Sequence, residues 1–187
     1  MSSRRKHPVI RRIAAFTAPF LLLVSLGCGS GATATPLGSQ STPASSSLKV
    51  VTTVSPITSI VENIGGTRIE LVGIVPEGVN SHTFEPAPSV ARVLAEADLI
   101  VLNGLFLEEP TLELAKASRR DEAVILSLGD QTITREDWRF DFSFPESDGH
   151  PNPHLWPDPL FGLRYAELVR DELARLDQEN GAYYSSN

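Results

Sequence analysis

The stretch LKVVTTVSPITSIVENIGG, residues 48–66, decides the fold of this chain. LKVVTTV is rich in β-branched residues and predicts a strand, and the segment from Pro56 to Gly66 predicts a helix that stops at a glycine pair. The alternation continues with strands predicted at 68–75, 98–104 and 123–128 and helices predicted at 90–97 and 106–118. Regular alternation is typical of parallel βαβ units, so we predict an α/β fold: a parallel β-sheet of about four strands with helices on both faces.

A further helix signal lies near the end of the chain. Asp158 fits an N-cap and Pro159 the first helical position. Apolar residues then recur every three or four positions: Leu160, Leu163, Ala166, Val169, Leu173 and Leu176. This spacing predicts an amphipathic helix. Residues 130–154, between the fourth strand and this helix, contain acids, aromatics and prolines without a helical period, and so long a loop is typically functional.

The chain before the first strand has two parts. Residues 1–27 carry five basic residues and no acid, followed by an apolar stretch, which indicates a signal peptide. That stretch is shorter than the roughly 20 residues of a membrane span. Residues 28–47 are nearly all small or polar and predict a flexible tether. We therefore divide the chain into a signal peptide at 1–27, a tether at 28–47 and a folded lobe at 48–187.

Cys28 is the only cysteine and follows the signal peptide directly. It has no partner for an intramolecular disulfide bond. The sequence Leu26-Gly27-Cys28 resembles a lipobox, whose cysteine becomes the lipid-modified N-terminus after cleavage. Such motifs favour leucine where this chain has Ser25, so cleavage by an ordinary signal peptidase stays open. We predict that Cys28 is lipidated and anchors the exported protein to the outer face of the cell membrane, with a periplasmic location as the alternative.

The charge balance excludes one class of partner. Removal of the signal peptide takes away five of the 16 basic residues, which leaves 11 against 23 acidic residues and a net charge of about −12. Nucleic acid binding requires a basic face, and none is visible in this sequence. We therefore expect no nucleic acid partner.

Two histidines follow predicted strands at corresponding places. His82 comes after the second strand and His154 after the fourth. Because the carboxyl ends of parallel strands meet at the same edge of a sheet, the two loops can converge. Neutral imidazole is a common ligand of zinc and of other first-row metals. The pattern allows a two-histidine metal site, but spacing alone favours a surface role, or a hydrogen-bonded role without ligation, for both residues.

His150 is a weaker candidate ligand than the other two. It precedes His154 by four residues, which on a helix would place both rings on one face. Pro151 and Pro153 intervene, and prolines remove backbone donors and disfavour a helix at the preceding residue. We therefore expect His150 to be exposed and to take no part in the site.

Three segments resemble the motifs of one family. GVNSHTFEPAPS (78–89), ADLIVLNGLFLE (97–108) and NPHLWPDP (152–159) resemble, in order, a first metal-ligand motif, a strand and turn, and a second ligand motif. These belong to the solute-binding proteins of zinc and manganese ABC transporters, also described as adhesin-like lipoproteins. The resemblance covers residues 48–187. It implies that His82 and His154 ligate zinc or manganese as the transported ion.

The resemblance also carries expectations about neighbours and partners. Glu85, Asn103 and Trp156 would lie near the ligands without ligating the metal. The partner would be the membrane permease of an ABC importer, and we expect a monomer attached to the membrane through its lipid anchor.

The chain departs from the family pattern at several positions. Asn80-Ser81 stands where Asp-Pro is frequent, Asn152 stands where aspartate is frequent, and Pro157 replaces an apolar residue. Family members have two similar lobes joined by a long helix, and their third and fourth ligands come from the second lobe. We expect residues 48–187 to be the N-terminal lobe, ending at the start of that helix in AYYSSN (182–187).

The expected function is extracytoplasmic capture of zinc or manganese for delivery to an ABC importer, without enzymatic activity. Two alternatives stay open. A metal-dependent hydrolase would use His82 and His154 with Asp148 or Glu85 around a catalytic water. A lipid-anchored α/β lobe that binds an organic solute or another protein would leave the histidines incidental.

Overall fold

The computed structural model describes residues 47–187 of the protein. The predictions for the signal peptide, for Cys28 and for the tether up to residue 46 therefore lie outside the described residues. The strands are β1 (Leu48–Thr52), β2 (Ile69–Gly73), β3 (Leu99–Leu102) and β4 (Val124–Ser127). The α-helices are α1 (Ser55–Gly65), α2 (Val90–Glu96), α3 (Glu109–Ser118), α4 (Leu128–Thr132), α5 (Pro159–Leu176) and α6 (Gly181–Ser186).

The four strands form one parallel sheet in the order β2-β1-β3-β4. Val50 at the centre of β1 pairs with Leu71 on one side and Leu99 on the other. The predicted four-stranded parallel sheet is confirmed. Because the chain winds first to one side of β1 and then to the other, β1 and β3 flank a topological switch point. Crevices at the carboxyl ends of such strands are where open α/β sheets bind ligands.

Helices cover both faces of the sheet, as predicted. Residues alternate along β3, so that Leu99 and Val101 face one core while Ile100 and Leu102 face the other. Helices α1, α5 and α6 pack over the first core, and α2 and α3 pack over the second. Burial of each such aliphatic side chain contributes about 1.5–3 kcal/mol, which makes the sheet a rigid base for its loops.

Helix α5 begins as predicted but turns a different side chain inward. Asp158 caps it by accepting a hydrogen bond from the N–H of Leu160 at 2.8 Å. Leu160 and Leu163, the first two residues of the apolar repeat, lie outside the core, because they are 76% and 58% exposed. Tyr165 is fully buried instead, one turn before Val169. Within residues 47–187 no helix is both long and apolar enough to span a bilayer.

The turn between β3 and α3 differs from the prediction. A helix from residue 106 was expected, but α3 begins at Glu109, because Gly104, Leu105 and Phe106 all adopt positive φ angles of 79°, 52° and 66°. Non-glycine residues adopt this conformation uncommonly. Side-chain carboxylates hold the turn by accepting hydrogen bonds from its backbone N–H groups, as described below. The turn presents Asn103 at the carboxyl end of β3.

The segment at 130–154 is an ordered excursion with little regular structure. It begins within α4 and contains two single 3-10 turns, at Arg135–Asp137 and Glu146–Asp148. The prediction of a long loop without helical period is correct for most of its length. The excursion brings aromatic residues and Asp141 to the same edge of the sheet as the histidine loops.

Candidate metal centre

Loops from the two outer strands meet at the carboxyl edge of the sheet. His82 lies in a 3-10 turn, Ser81–Thr83, which follows β2, and His154 lies between β4 and α5. Their Nε2 atoms are 3.1 Å apart although the residues are separated by 72 positions. The parallel topology places both loops at one edge of the sheet, and the loops bring the two predicted ligands into contact across the two strands between them.

The same local turn presents each histidine. The side-chain Oδ1 of Asn80 accepts a hydrogen bond from the backbone N–H of His82 at 3.0 Å. Asn152 does the same for the backbone N–H of His154, also at 3.0 Å. Asparagine favours such turns because its short amide bonds to the backbone two residues ahead. An Asn-x-His pattern therefore fixes the backbone of both candidate ligands.

Asn152 also determines which ring nitrogen of His154 carries the proton. Its Nδ2 lies 2.6 Å from Oδ2 of Asp141, and a carboxylate oxygen can only accept, so the amide NH₂ group faces Asp141. Oδ1 must then face His154, where it lies 2.8 Å from Nδ1. An amide oxygen is also only an acceptor, so Nδ1 of His154 is the protonated nitrogen. In neutral His154 the Nε2 lone pair is therefore free and points at His82.

This assignment fixes the proton of the partner ring as well. Because Nε2 of neutral His154 accepts, Nε2 of neutral His82 donates across the 3.1 Å contact. An ion that binds both atoms replaces that shared proton, and His82 then carries its proton on Nδ1. The two rings are thus joined by one shared proton, which a metal ion that ligated both nitrogen atoms would have to displace from the contact.

The surroundings of His154 favour its neutral, ligating form. Its pKa lies below the ordinary histidine value because burial disfavours the imidazolium, and a positive charge on His82 would lower it further. The negative charge of Asp141 opposes this shift as the smallest of the three effects. His154 is half-buried, whereas the side chain of His82 is exposed.

Aromatic rings line the histidine pair. The ring of Phe144 lies 5.5 Å from the ring of His82 and 5.5 Å from that of His154, measured between centroids. Trp156 packs edge-on against His154 at 5.1 Å. These contacts restrict rotation of both imidazoles and cover part of the site with apolar surface.

A buried amide anchors the His154 loop to the sheet. Asn103, which has no exposed surface, donates from Nδ2 to the carbonyl oxygen of Pro153 at 3.0 Å. The hydroxyl of Tyr165 donates to Oδ1 of Asn103 at 2.8 Å. Burial raises the pKa of Tyr165, so this hydroxyl keeps its proton and stays a donor. The residue directly before His154 is therefore tied to β3 and, through Tyr165, to α5.

A buried carboxylate holds the turn that carries Asn103. Glu108 accepts hydrogen bonds from the backbone N–H groups of Asn103 at 2.9 Å and Gly104 at 3.1 Å, and from the hydroxyl of Thr53 at 2.7 Å. The pKa of Glu108 is raised, because the effect of burial outweighs the opposing effect of these three hydrogen bonds. Asp130 completes the turn by accepting from the N–H of Leu105 at 3.2 Å. These hydrogen bonds hold the turn from which Asn103 reaches the loop of His154.

The geometry fits a divalent transition metal. Two imidazole nitrogens that ligate one tetrahedral zinc ion at about 2.0–2.1 Å lie roughly 3.3 Å apart, close to the separation seen here. Among residues 47–187, no group of three or more histidine, cysteine or acidic side chains gathers within reach of one ion. The described residues therefore offer two ligands, and ligation by His82 and His154 stays a prediction.

The other residues named from the sequence take different places. His150 stacks on Phe106 at 4.2 Å between ring centroids and is exposed. The side chain of Glu85 is exposed, and Asp148 accepts a hydrogen bond from the hydroxyl of Ser147. Trp156 and Asn103 lie beside and beneath the site, as the resemblance implied.

Sequence reasoning missed four residues that shape the site: Asp141, Asn152 as a hydrogen-bond partner, Glu108 and Tyr165. The one signal present was the repeated Asn-x-His pattern. The other contacts join residues far apart in sequence, so spacing alone does not reveal them.

Comparisons with known proteins agree with this geometry. The family model described as ZnuA, zinc-uptake complex component A, periplasmic, matches residues 50–187. The manganese-binding lipoprotein MntA of Halalkalibacterium halodurans is 31% identical over 172 residues, which cover 92% of this chain and 52% of that protein. The chain thus spans about half the length of the curated relatives that it matches.

Solved structures show the same fold. The manganese-bound periplasmic metal-binding protein from Candidatus Liberibacter asiaticus superposes with a TM-score of 0.64 and 27% identity, covering 74% of this chain and 49% of that one. A crystal structure of ZnuA gives a TM-score of 0.65 and 29% identity, covering 75% of this chain and 51% of that one. Since the family model spans most of the chain, from the first strand to residue 187, the protein belongs to the ZnuA family of periplasmic zinc-uptake components.

Proposed function

We propose that this protein captures a divalent transition-metal ion, zinc or manganese, outside the cytoplasm for delivery to an ABC importer. One observation carries the proposal: the Nε2 atoms of His82 and His154 lie 3.1 Å apart, at the separation of two ligands of one ion. The lone pair of His154 already points into that gap. The described loops therefore form a site that a metal can enter by displacing one proton.

The relatives support the same class of cargo. One is named a manganese-binding lipoprotein, a second is named a manganese ABC transporter substrate-binding lipoprotein, and one matching structure is manganese-bound. The family description names zinc uptake. We propose zinc or manganese as the transported ion, because the relatives include proteins named for each metal. Imidazole suits zinc and oxygen ligands favour manganese, so the ligands beyond the two histidines would discriminate between the metals.

We further propose a membrane anchor and a protein partner. Relatives named as substrate-binding lipoproteins of ABC transporters support an anchor at Cys28 and a membrane permease as the partner. The role is binding and release without turnover, so we propose no enzymatic activity. The hydrolase alternative draws no support from Glu85 or Asp148, since neither joins the histidines in a cluster within residues 47–187.

Isothermal titration of the purified chain with zinc and with manganese tests the proposal. His82→Ala and His154→Ala should each weaken binding by at least about tenfold, because each removes one of two ligands. His150→Ala is the matched control, since this histidine is exposed and stacks on Phe106 away from the pair. Equal losses in all three variants, or no loss in the first two, would overturn the assignment.

A further inference from the structure

Asp141 ties together two parts of the candidate site. Its Oδ1 accepts hydrogen bonds from the backbone N–H groups of Ser143 at 2.7 Å and Phe144 at 3.0 Å. Its Oδ2 accepts from the side-chain amide of Asn152 at 2.6 Å. The carboxylate of Asp141 therefore fixes the backbone of Phe144, whose ring packs against both imidazoles. The same carboxylate orients the amide of Asn152, which faces His154.

The orientation of Asn152 depends on this carboxylate. An isolated asparagine amide can present either its oxygen or its NH₂ group to a neighbour, and the ring of His154 would accept either by changing tautomer. With Asp141 on the other side, only one arrangement satisfies every group. The NH₂ group faces the carboxylate, the amide oxygen faces both N–H groups of His154, and the proton on the ring stays at Nδ1.

We propose that Asp141 and Asn152 are positioning residues that lock His154 in the Nδ1–H tautomer, with its Nε2 free for a metal ion. This inference rests on the proposed function of metal capture. In metal sites, the group that holds the second imidazole nitrogen fixes the orientation of the ring and its strength as a ligand. Here a neutral amide touches the ring, and the negative charge lies one residue further away.

The hydrogen bonds from Asn152 to Asp141 and from His154 to Asn152 form a relay in which each donor faces one acceptor. We expect single substitutions to break this order and a paired exchange to restore it. Asn152→Asp places two carboxylates against each other across a contact that is 2.6 Å in the wild type. In Asp141→Asn, the new amide has one oxygen and one NH₂ group where the wild type has two acceptors. Its NH₂ group then meets another donor, either the backbone N–H groups of Ser143 and Phe144 or the NH₂ group of Asn152. In the double variant the carboxylate at position 152 accepts from His154 and the amide at position 141 donates to it. Every hydrogen bond of the relay is then kept.

The tautomer can be measured directly, without metal. In the metal-free wild-type chain, nitrogen-15 NMR at a pH where the ring is neutral should show the proton of His154 on Nδ1. A proton predominantly on Nε2 would overturn the proposal. This reading does not require any variant to fold, and it does not depend on whether the chain binds metal.

Metal titration tests the consequence for ligation. Asn152→Asp and Asp141→Asn should each weaken zinc binding about 10- to 100-fold, and the double variant should regain most of that loss. Asp121→Asn is the matched control for charge, because it lies in the turn before β4 at the opposite edge of the sheet, and it should leave the affinity unchanged. A double variant that binds no better than the weaker single variant would overturn the relay. Failure of the wild-type chain to bind any metal would overturn the proposed function instead, while the NMR measurement would still decide the positioning role.

Discussion

At the scale of single residues, the site depends on where two protons sit. Asn152 holds His154 with its proton on Nδ1, and the proton on Nε2 of His82 forms the hydrogen bond between the two rings. A metal ion competes with protons for the same nitrogen atoms, so the affinity must depend on pH.

We predict that metal affinity is constant above the ordinary imidazole pKa of about 6.5 and falls at lower pH. Protonation of either ring removes a ligand, so acid weakens binding. The pKa of His154 is lowered mainly by burial, so this ligand is lost at a lower pH than an exposed histidine would be. Calorimetry with zinc at a series of pH values from 7.5 to 5 measures the effect. An affinity that stays flat over this range would argue against histidine ligation.

At the scale of elements, the turn after β3 positions the site from below. Residues 104–106 all have positive φ angles, and the carboxylates of Glu108 and Asp130 satisfy the backbone N–H groups that this conformation leaves without helical partners. The side chain of Asn103, at the start of the turn, reaches the residue before His154. Strain in this turn is therefore coupled to the position of a candidate ligand.

We predict that Gly104→Ala destabilises the fold more than Gly149→Ala. Both glycines have positive φ angles, 79° and 75°, so both variants bear a left-handed backbone cost of about 1–2 kcal/mol. A methyl group at Gly104 would also collide with the carboxylate of Asp130, whereas one at Gly149 meets no atom within 4 Å. Urea unfolding of the two variants isolates the collision. Equal losses of unfolding free energy would mean that Asp130 moves aside without cost.

Much of the fold was predictable because its determinants are local. Val50 and Val51, or Leu99 and Ile100, face opposite cores in strict alternation, which is the pattern that marks strands covered on both faces. Parallel topology placed His82 and His154 at the same edge of the sheet, and the resemblance to two ligand motifs singled them out as a pair. The turn after β3 was missed because leucine and phenylalanine rarely take positive φ, so Phe106 suggested the start of a helix. Tyr165 was missed because its role depends on Asn103, 62 residues earlier.

At the scale of the whole molecule, the described residues supply a two-nitrogen site. Tight sites for transition metals typically use three or four protein ligands. The matching proteins are about twice as long as this chain, and we propose that in such a longer protein further ligands close the shell.

We predict that the 187-residue chain binds zinc weakly, with a dissociation constant of about a micromolar or more, because residues 47–187 gather only two candidate ligands and water would fill the other coordination positions. Thermal unfolding gives an independent measure, since a ligand raises the midpoint only when its concentration exceeds the dissociation constant. Midpoints with and without zinc should therefore separate only at high micromolar metal. Saturation at submicromolar zinc would show that the chain completes its own site.

The order of the strands has a further consequence for when the site comes into being. The two histidine loops leave the outermost strands, and the contact between them closes a span of 72 residues. Closing so long a loop has an entropic cost that local pairings do not bear, so we expect the contact to form after β1 and β3 have joined the sheet between them. An unfolded chain would therefore not hold the two histidines together around an ion. We therefore expect metal loading to require the finished fold, and we expect an ion bound by both histidines to hold their two loops together and to slow unfolding.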